Sequence, residues 1–399
     1  MPVGNLGTVP TQRQATALKY LSLLFIALAV MEGLAWLAAI PLRRMGMFYD
    51  PGRITQSFEA YVSRPNPMLG WAPQPGIPGI DTNGARALPA DARFDASCIS
   101  LFGDSFTWAL PVGDGDTWGA VLAQRLGCGV TNFGVIGYDS DQAYLRYLER
   151  PKTGGIVFLN HLSENVLTNV TQFRDLIYPG PELALKPRFI ESGDGPVLVP
   201  VPRIPTDGLA AFLANPASAL THEYFLPGTK DGLAELEFPY LWSVLRAVVQ
   251  SRQVEAALTG VPTYAAFYDP NHPSRALAVT ERIFDEFAGA ARANGQIPVV
   301  AVIPTCRELR HARKTGSWTY APLASHAMDE GYLFLDFGPG LLRHLDGAQP
   351  DRICERAFGN SPEPFNTTGY AYMAEIAYTF LSQQDATRIY LEGLGLTMK

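Results

Sequence analysis

Histidine is scarce in this chain of 399 residues: there are 6, and the last of them is His344. A catalytic imidazole is therefore excluded from everything beyond that point. Cysteine is sparser still, with 4, and Cys98, Cys128, Cys306 and Cys354 are not spaced as a paired-cysteine zinc motif. They fit two disulfides in an oxidising compartment and, equally, buried free thiols. Positive charge is also in deficit, since 31 Lys and Arg against 38 Asp and Glu give a formal net charge of −7. A surface that neutralises phosphates needs a basic excess, so no nucleic acid partner is expected. There is no glycine-rich phosphate loop, no dinucleotide fingerprint and no cluster of metal ligands, so neither a cofactor nor a metal is expected. Repeats and low-complexity tracts are missing too.

What the chain does contain is apolar residues, 47% of the whole. The longest run, Tyr20 to Leu42, cannot be the surface of a soluble domain. About 20 apolar residues at 1.5 Å each cross a hydrocarbon core of roughly 30 Å, and this run is long enough. The rival is a cleaved signal peptide, but its apolar region is typically about 7–15 residues and is followed by a small-residue cleavage site. Glu32 sits mid-span, either contacting a membrane partner or tolerated as a protonated side chain in a single helix. Arg13 and Lys19 before the run nearly balance Arg43, Arg44 and Arg53 after it, so charge does not orient it.

Residues 1–19 read as a tail and 20–42 as the span. Residues 43–95 form a Pro- and Gly-rich strap that resists regular helix, as in Arg64-Pro-Asn-Pro and Gly70-Trp-Ala-Pro-Gln-Pro-Gly. A domain over 96–384 follows, then a C-terminal tail over 385–399. Within the domain, apolar runs at Ser97–Phe102, Val130–Phe133, Ile156–Leu162, Pro298–Ile303 and Tyr332–Asp336 read as buried strands. Helical stretches fall between them at Thr117–Leu126, Ser140–Arg150, Ala276–Asn294 and Ala321–Asp329, with a last one at Tyr370–Leu381. That alternation predicts an α/β fold, a parallel sheet covered on both faces. Residues 171–270 break the rhythm and read as an insertion, with a hairpin pairing Pro187-Arg-Phe-Ile with Val197-Leu-Val-Pro and a helical half around Tyr240–Ala257.

The chemistry is concentrated in Gly103-Asp-Ser-Phe-Thr107. A serine in a tight turn just past a buried strand is lifted to the carboxyl edge of the sheet, where open α/β folds bind ligands. Three residues of this kind favour any turn, so the motif is weak alone. Its context is more specific. Asn132-Phe-Gly-Val-Ile-Gly-Tyr138 follows the second strand, Ser163-Glu-Asn165 follows the third, and Gly369-Tyr-Ala-Tyr-Met-Ala-Glu375 opens the last helix. In order and spacing these blocks resemble the SGNH/GDSL hydrolase family, over about Ala96–Gln383 less the insertion. Asn66-Pro-Met-Leu-Gly-Trp, Lys186-Pro-Arg-Phe and His272-Pro-Ser resemble features of its membrane-anchored bacterial members. The resemblance implies a flavodoxin-like, three-layer α/β/α domain held at the bacterial inner membrane with its bulk in the periplasm. It makes Ser105 of the Asp104-Ser105 pair the nucleophile. The amides of Ser105 and Gly137 would be oxyanion donors, and an asparagine the third donor, with Asn165 at the strand end preferred to Asn160 within it.

The departure is in the final block. Family members carry Asp-x-x-His there, and the position of that histidine falls on Pro364 in Ser361-Pro-Glu-Pro-Phe-Asn366. A serine without a nearby base is a poor nucleophile at neutral pH. His272, preceded by Asp269, is the best candidate substitute, and Glu363 a weaker one; each is also readable as an ordinary loop residue. Two functions stay open. One is an esterase or O-acyltransferase using a serine acyl-enzyme on an acylated extracytoplasmic glycan or small acyl ester. The other is an inactive SGNH-fold protein that binds a polysaccharide or serves a membrane protein partner.

Overall fold

The computed structural model describes residues 12–55, 65–89, 92, 94, 96–150, 153–193, 195–205, 207–356 and 362–396. Ser361 of the final block, part of the strap and the start of the tail lie outside them.

The apolar run forms α1 (Gln12–Arg44), ending on Arg43 and Arg44. It is the one described helix long and apolar enough to cross a membrane. The helix starts well before Tyr20, because Gln12 to Lys19 holds good helix formers and no breaker.

The domain is organised by a parallel sheet of β1 (Ser97–Phe102), β2 (Gly129–Asn132), β3 (Ile156–Leu162), β6 (Ile297–Ile303) and β7 (Leu333–Asp336). Between β3 and β6 the insertion carries the antiparallel hairpin β4 (Arg188–Ser192) and β5 (Gly195–Val199), with Ile190 opposite Val197. The sheet order is β2-β1-β3-β6-β7. The first crossover moves to one side of β1 and the next to the other, which creates a switch point at the carboxyl ends of β1 and β3. β3 is the most extensively paired strand, in register with β6 from Ile156↔Ile297 to Leu162↔Ile303.

Alternate side chains of these strands enter two separate cores. Phe102, Val157, Leu159, Val300 and Val302 pack beneath α4 (Ser140–Glu149) and α7 (Ala276–Ala293), meeting Leu145, Phe284 and Phe287. Leu101, Ile156, Phe158, Val299 and Ala301 face α3 (Trp118–Leu126), α10 (Phe337–His344) and α11 (Thr367–Gln383), meeting Leu122, Leu341 and Met373. The domain is therefore a three-layer α/β/α fold, and strands buried on both faces explain why they read as unbroken apolar runs rather than as alternating ones.

Several elements differ from expectation. The helical half of the insertion is two helices, α5 (Tyr240–Val249) and α6 (Arg252–Thr259), because Ser251 caps the second by accepting from the Val254 amide. The 385–399 stretch is not a simple tail: it contains α12 (Asp385–Gly393), whose Leu391 is buried. The helix α8 (Cys306–Thr315) was not anticipated, and neither was α10; both are short and lie where a strand end dominates the local pattern. The cysteines are paired. Cys98–Cys128 ties β1 to the approach to β2, and Cys306–Cys354 ties the start of α8 to the segment leading to the final block, with Cα separations of 5.9 and 6.2 Å.

Candidate functional site

Three loops leave the carboxyl ends of adjacent strands and meet over the switch point. After β1, Gly103 turns the chain so closely past its neighbours that a Cβ there would lie 2.1 Å from Thr107 Oγ1 and 3.0 Å from the Asn160 Cβ. Asp104 then caps the single helical turn Ser105–Trp108, its Oδ1 accepting from the Phe106 amide at 2.9 Å. After β2, Gly137 adopts φ +82°, a left-handed conformation that a side chain would strain. After β3, Asn165 opens another helical turn. Asp104, Ser105, Gly137 and Asn165 line one cleft of about 140 Å³.

The donor arrangement follows from the hydrogen bonds. Asn165 Oδ1 accepts from the Leu162 amide at 2.8 Å, which fixes the orientation of the carboxamide and leaves Nδ2 as its donor. Asn160 is used differently: it is buried in β3 and donates to the Phe102 carbonyl at 3.2 Å. Among the described residues no acceptor takes the backbone N–H of Ser105 or of Gly137. Two free amides and a carboxamide on one small cleft can receive a carbonyl oxygen or an oxyanion.

Among the described residues, no imidazole borders this cleft. His272 is not among the residues that line it. Instead its ring packs on Phe267 with centroids 4.3 Å apart, and its Nδ1 bonds Ser274 Oγ at 2.7 Å. His161 is buried between Ser140 Oγ at 2.7 Å and the Tyr268 hydroxyl at 2.9 Å, and burial pushes it down to about 3. His326 pairs with Asp285, and His344 bonds the Gly340 carbonyl within its own helix. The final block does reach the cleft, but it presents Pro362 and Pro364, while Glu363 pairs with Arg310 at 2.6 Å.

The polar support under the cleft was not foreseen. Asp139 and Asp141, following the Gly137 loop, meet Arg174 and Lys186 from the insertion. Arg174 binds Asp139 at 2.7 Å; Lys186 Nζ binds Asp141 at 2.6 Å and Asp139 at 3.3 Å. Lys186 also donates to the Thr168 and Thr171 carbonyls, each at 3.2 Å, so every ammonium direction has a partner. Burial alone would push the Asp139 carboxyl up, but the Arg174 and Lys186 charges outweigh it and hold it below the ordinary range. For Asp141 burial wins and the shift is upward. Burial likewise raises Asp104 to about 7 and pushes the Glu164 carboxyl up. The Lys186-Pro-Arg-Phe stretch was visible in the sequence, and its lysine at the base of the cleft gives that stretch a physical role. Trp71 plays a similar part, donating from Nε1 to the Ile136 carbonyl at 3.2 Å beside Gly137.

A second cavity, of about 420 Å³, lies between Met45–Met47, just past α1, and the insertion. Glu164 and Tyr178 border both cavities.

No family model matches the chain, and no curated protein matches it. Solved structures do resemble it. Two of them are described as G-D-S-L family proteins. A putative lipolytic protein of the G-D-S-L family from Desulfitobacterium hafniense DCB-2 is 15% identical with a TM-score of 0.35, covering 71% of this chain and 99% of its own. A lipolytic G-D-S-L family member from Veillonella parvula DSM 2008 is 11% identical with a TM-score of 0.33, covering 72% of this chain and 100% of its own. Likeness this slight carries no argument about chemistry, which has to come from the cleft itself.

Proposed function

We propose that this chain is a membrane-anchored, SGNH-like protein that binds an acyl ester or an acylated extracytoplasmic glycan at Ser105 without turning it over efficiently. The observation that carries the reading is the contact of Pro362 and Pro364 with the cleft, where an imidazole would be needed. The Ser105 and Gly137 amides and Asn165 Nδ2 would hold the carbonyl oxygen. With no base to take its proton, the Ser105 hydroxyl attacks too slowly for the donors to matter as catalysts. The anchor would be α1, and the two disulfides favour placing the domain in the periplasm, an oxidising compartment.

A second reading is favoured by Glu164. It borders the same cleft, and its burial raises the carboxyl toward a useful range for a base, so a slow esterase or acyltransferase is the competing function.

The two separate on one experiment with the full chain in detergent or bilayers: labelling by a serine-reactive fluorophosphonate, with Ser105→Ala as control. The binding reading expects negligible labelling, and a gain in Pro364→His, where an imidazole is restored, up to the order of 10²-fold. Strong wild-type labelling that Ser105→Ala abolishes would overturn it in favour of the enzyme. A further Glu164→Gln variant then tests the base.

A further inference from the structure

From α1 outward, one segment of the insertion behaves unlike the rest of the domain. Glu32 lies some three turns before Arg43, or about 16 Å along the helix axis. Its carboxylate accepts from the amides of Tyr240 at 2.6 Å and Leu241 at 3.4 Å, the first two residues of α5. At the other end of α5, Ala247 packs with Ala39 of α1, Phe48 and Ala234. The Tyr49 amide bonds the Ala234 carbonyl at 2.9 Å, so Ala234 stands where α1 enters the domain. The chain therefore leaves the domain at Ala234, runs down α1 to the level of Glu32, turns at Phe238–Pro239 and climbs back as α5. Ten residues of helix rise about 15 Å, which matches the distance from Glu32 back to the end of α1.

The contact face of α1 suits this company. Ala35 and Ala39 are buried while Glu32 and Leu42 are partly covered, and nearly all the remaining side chains of the span are exposed. Small residues four apart let two helices approach closely. The outer face of α5 is unlike that of a helix in water. Every exposed side chain on it is apolar: Leu241, Trp242, Leu245, Val248 and Val249, with Trp242 64% and Val249 74% exposed. Phe238 at the turn is 73% exposed. The next helix, α6, has a mixed outer face, exposing Gln253 and Glu255 as well as Leu258.

We propose that Phe238–Val249 is a re-entrant membrane segment, its exposed apolar face covered by the acyl chains of the leaflet that α1 leaves. The proposal rests on the reading of α1 as an anchor. Continuity decides the occupant: the face runs on from the bare apolar surface of α1, and it reaches the depth of Glu32 inside the span. Glu32 is then neither a solitary buried acid nor a handle for another protein. It satisfies the first amides of α5 at a depth where water cannot. Glu235 and Glu237, exposed on the descending leg, bound the segment on that side, with the Phe238–Trp242 tip deepest in the acyl chains. The Ser105 domain would accordingly be held against the bilayer at a second point rather than swinging on a single helix.

Trp36 in α1 and Trp242 in α5 provide the test. The full chain is reconstituted in phosphatidylcholine bilayers with and without acyl-chain-brominated phosphatidylcholine. Quenching of each tryptophan is read as the difference made by Trp36→Phe, Trp242→Phe and the double variant. The expected result is that Trp242 is quenched about as strongly as Trp36. Quenching of Trp36 without Trp242 would overturn the proposal while leaving the anchor standing. Quenching of neither would overturn the anchor, and the proposal with it.

Discussion

At the Ser105 cleft the fold buries two carboxylates and a lysine, Asp139, Asp141 and Lys186, with the half-buried Arg174 in direct contact. On α5 it leaves Leu241, Trp242, Leu245, Val248 and Val249 in the open. Each region reverses the usual placement of its residue type, and each is tolerable for a specific reason. Buried charges persist where every one has a partner, since removing one strands the other. Exposed apolar side chains persist where the surrounding medium is not water. The cleft is thus a site completed from within the chain, whereas the α5 limb, on the re-entrant proposal, would be completed by the surrounding acyl chains.

That contrast can be broken first at Lys186. Lys186→Met leaves Asp141 buried without its cation and should cost about 3–5 kcal/mol of stability, read from the denaturation midpoint of the full chain in detergent. A loss no larger than that of an exposed lysine would mean that the network does not hold the cleft together.

At the limb the expected effect is smaller. Glu32→Ala removes the acceptor from the first amides of α5 and should cost about 1 kcal/mol, as other lost N-terminal caps do. It should be seen as faster hydrogen exchange confined to 240–249 in bilayers, with Glu32→Gln in between. Unchanged exchange in Glu32→Ala would remove the cap from the account of Glu32.

The finest distinction is in pH. Burial holds the Asp104 carboxyl at about 7, above the ordinary value of about 3.9 that it regains on unfolding. Between those values the folded chain keeps a proton that the unfolded chain releases, so stability falls as pH rises through that window. Asp104→Asn keeps the Oδ1 acceptor for Phe106 and removes the titration, so its stability profile should be flatter from about pH 4 to 7. Superimposable profiles would show that Asp104 does not titrate there.

Much of the sheet was legible along the chain. Ser97–Phe102 and Ile156–Leu162 are continuous apolar runs ended by turn formers, and both are strands over those residues. Ala321–Asp329 was similarly readable from local periodicity, and Tyr370–Leu381 lies within the longer α11. The cleft was legible only where its residues sit at strand ends, as Ser105, Gly137 and Asn165 do. Arg174 and Lys186 were not, because a charged residue in an insertion gives no local sign of which carboxylate it will reach; Glu164, inside the Ser163-Glu-Asn165 block, carries no local sign of its burial either. The substitute bases fared differently from the cleft residues: His272 stays with its sequence neighbours Phe267 and Ser274 away from the cleft, and Glu363 is taken by Arg310.

By itself, then, the sequence determined the α/β alternation, the long apolar helix, the serine at a strand end and the absence of a histidine in the final block. These are all properties of short windows, set by burial pattern, turn chemistry and composition. Only the tertiary structure decided that Cys98 joins Cys128 and Cys306 joins Cys354, that Pro362 and Pro364 border the cleft, and that Glu32 meets α5. Those are meetings of residues far apart in the chain, chosen by the packing of whole layers, and no local pattern encodes them.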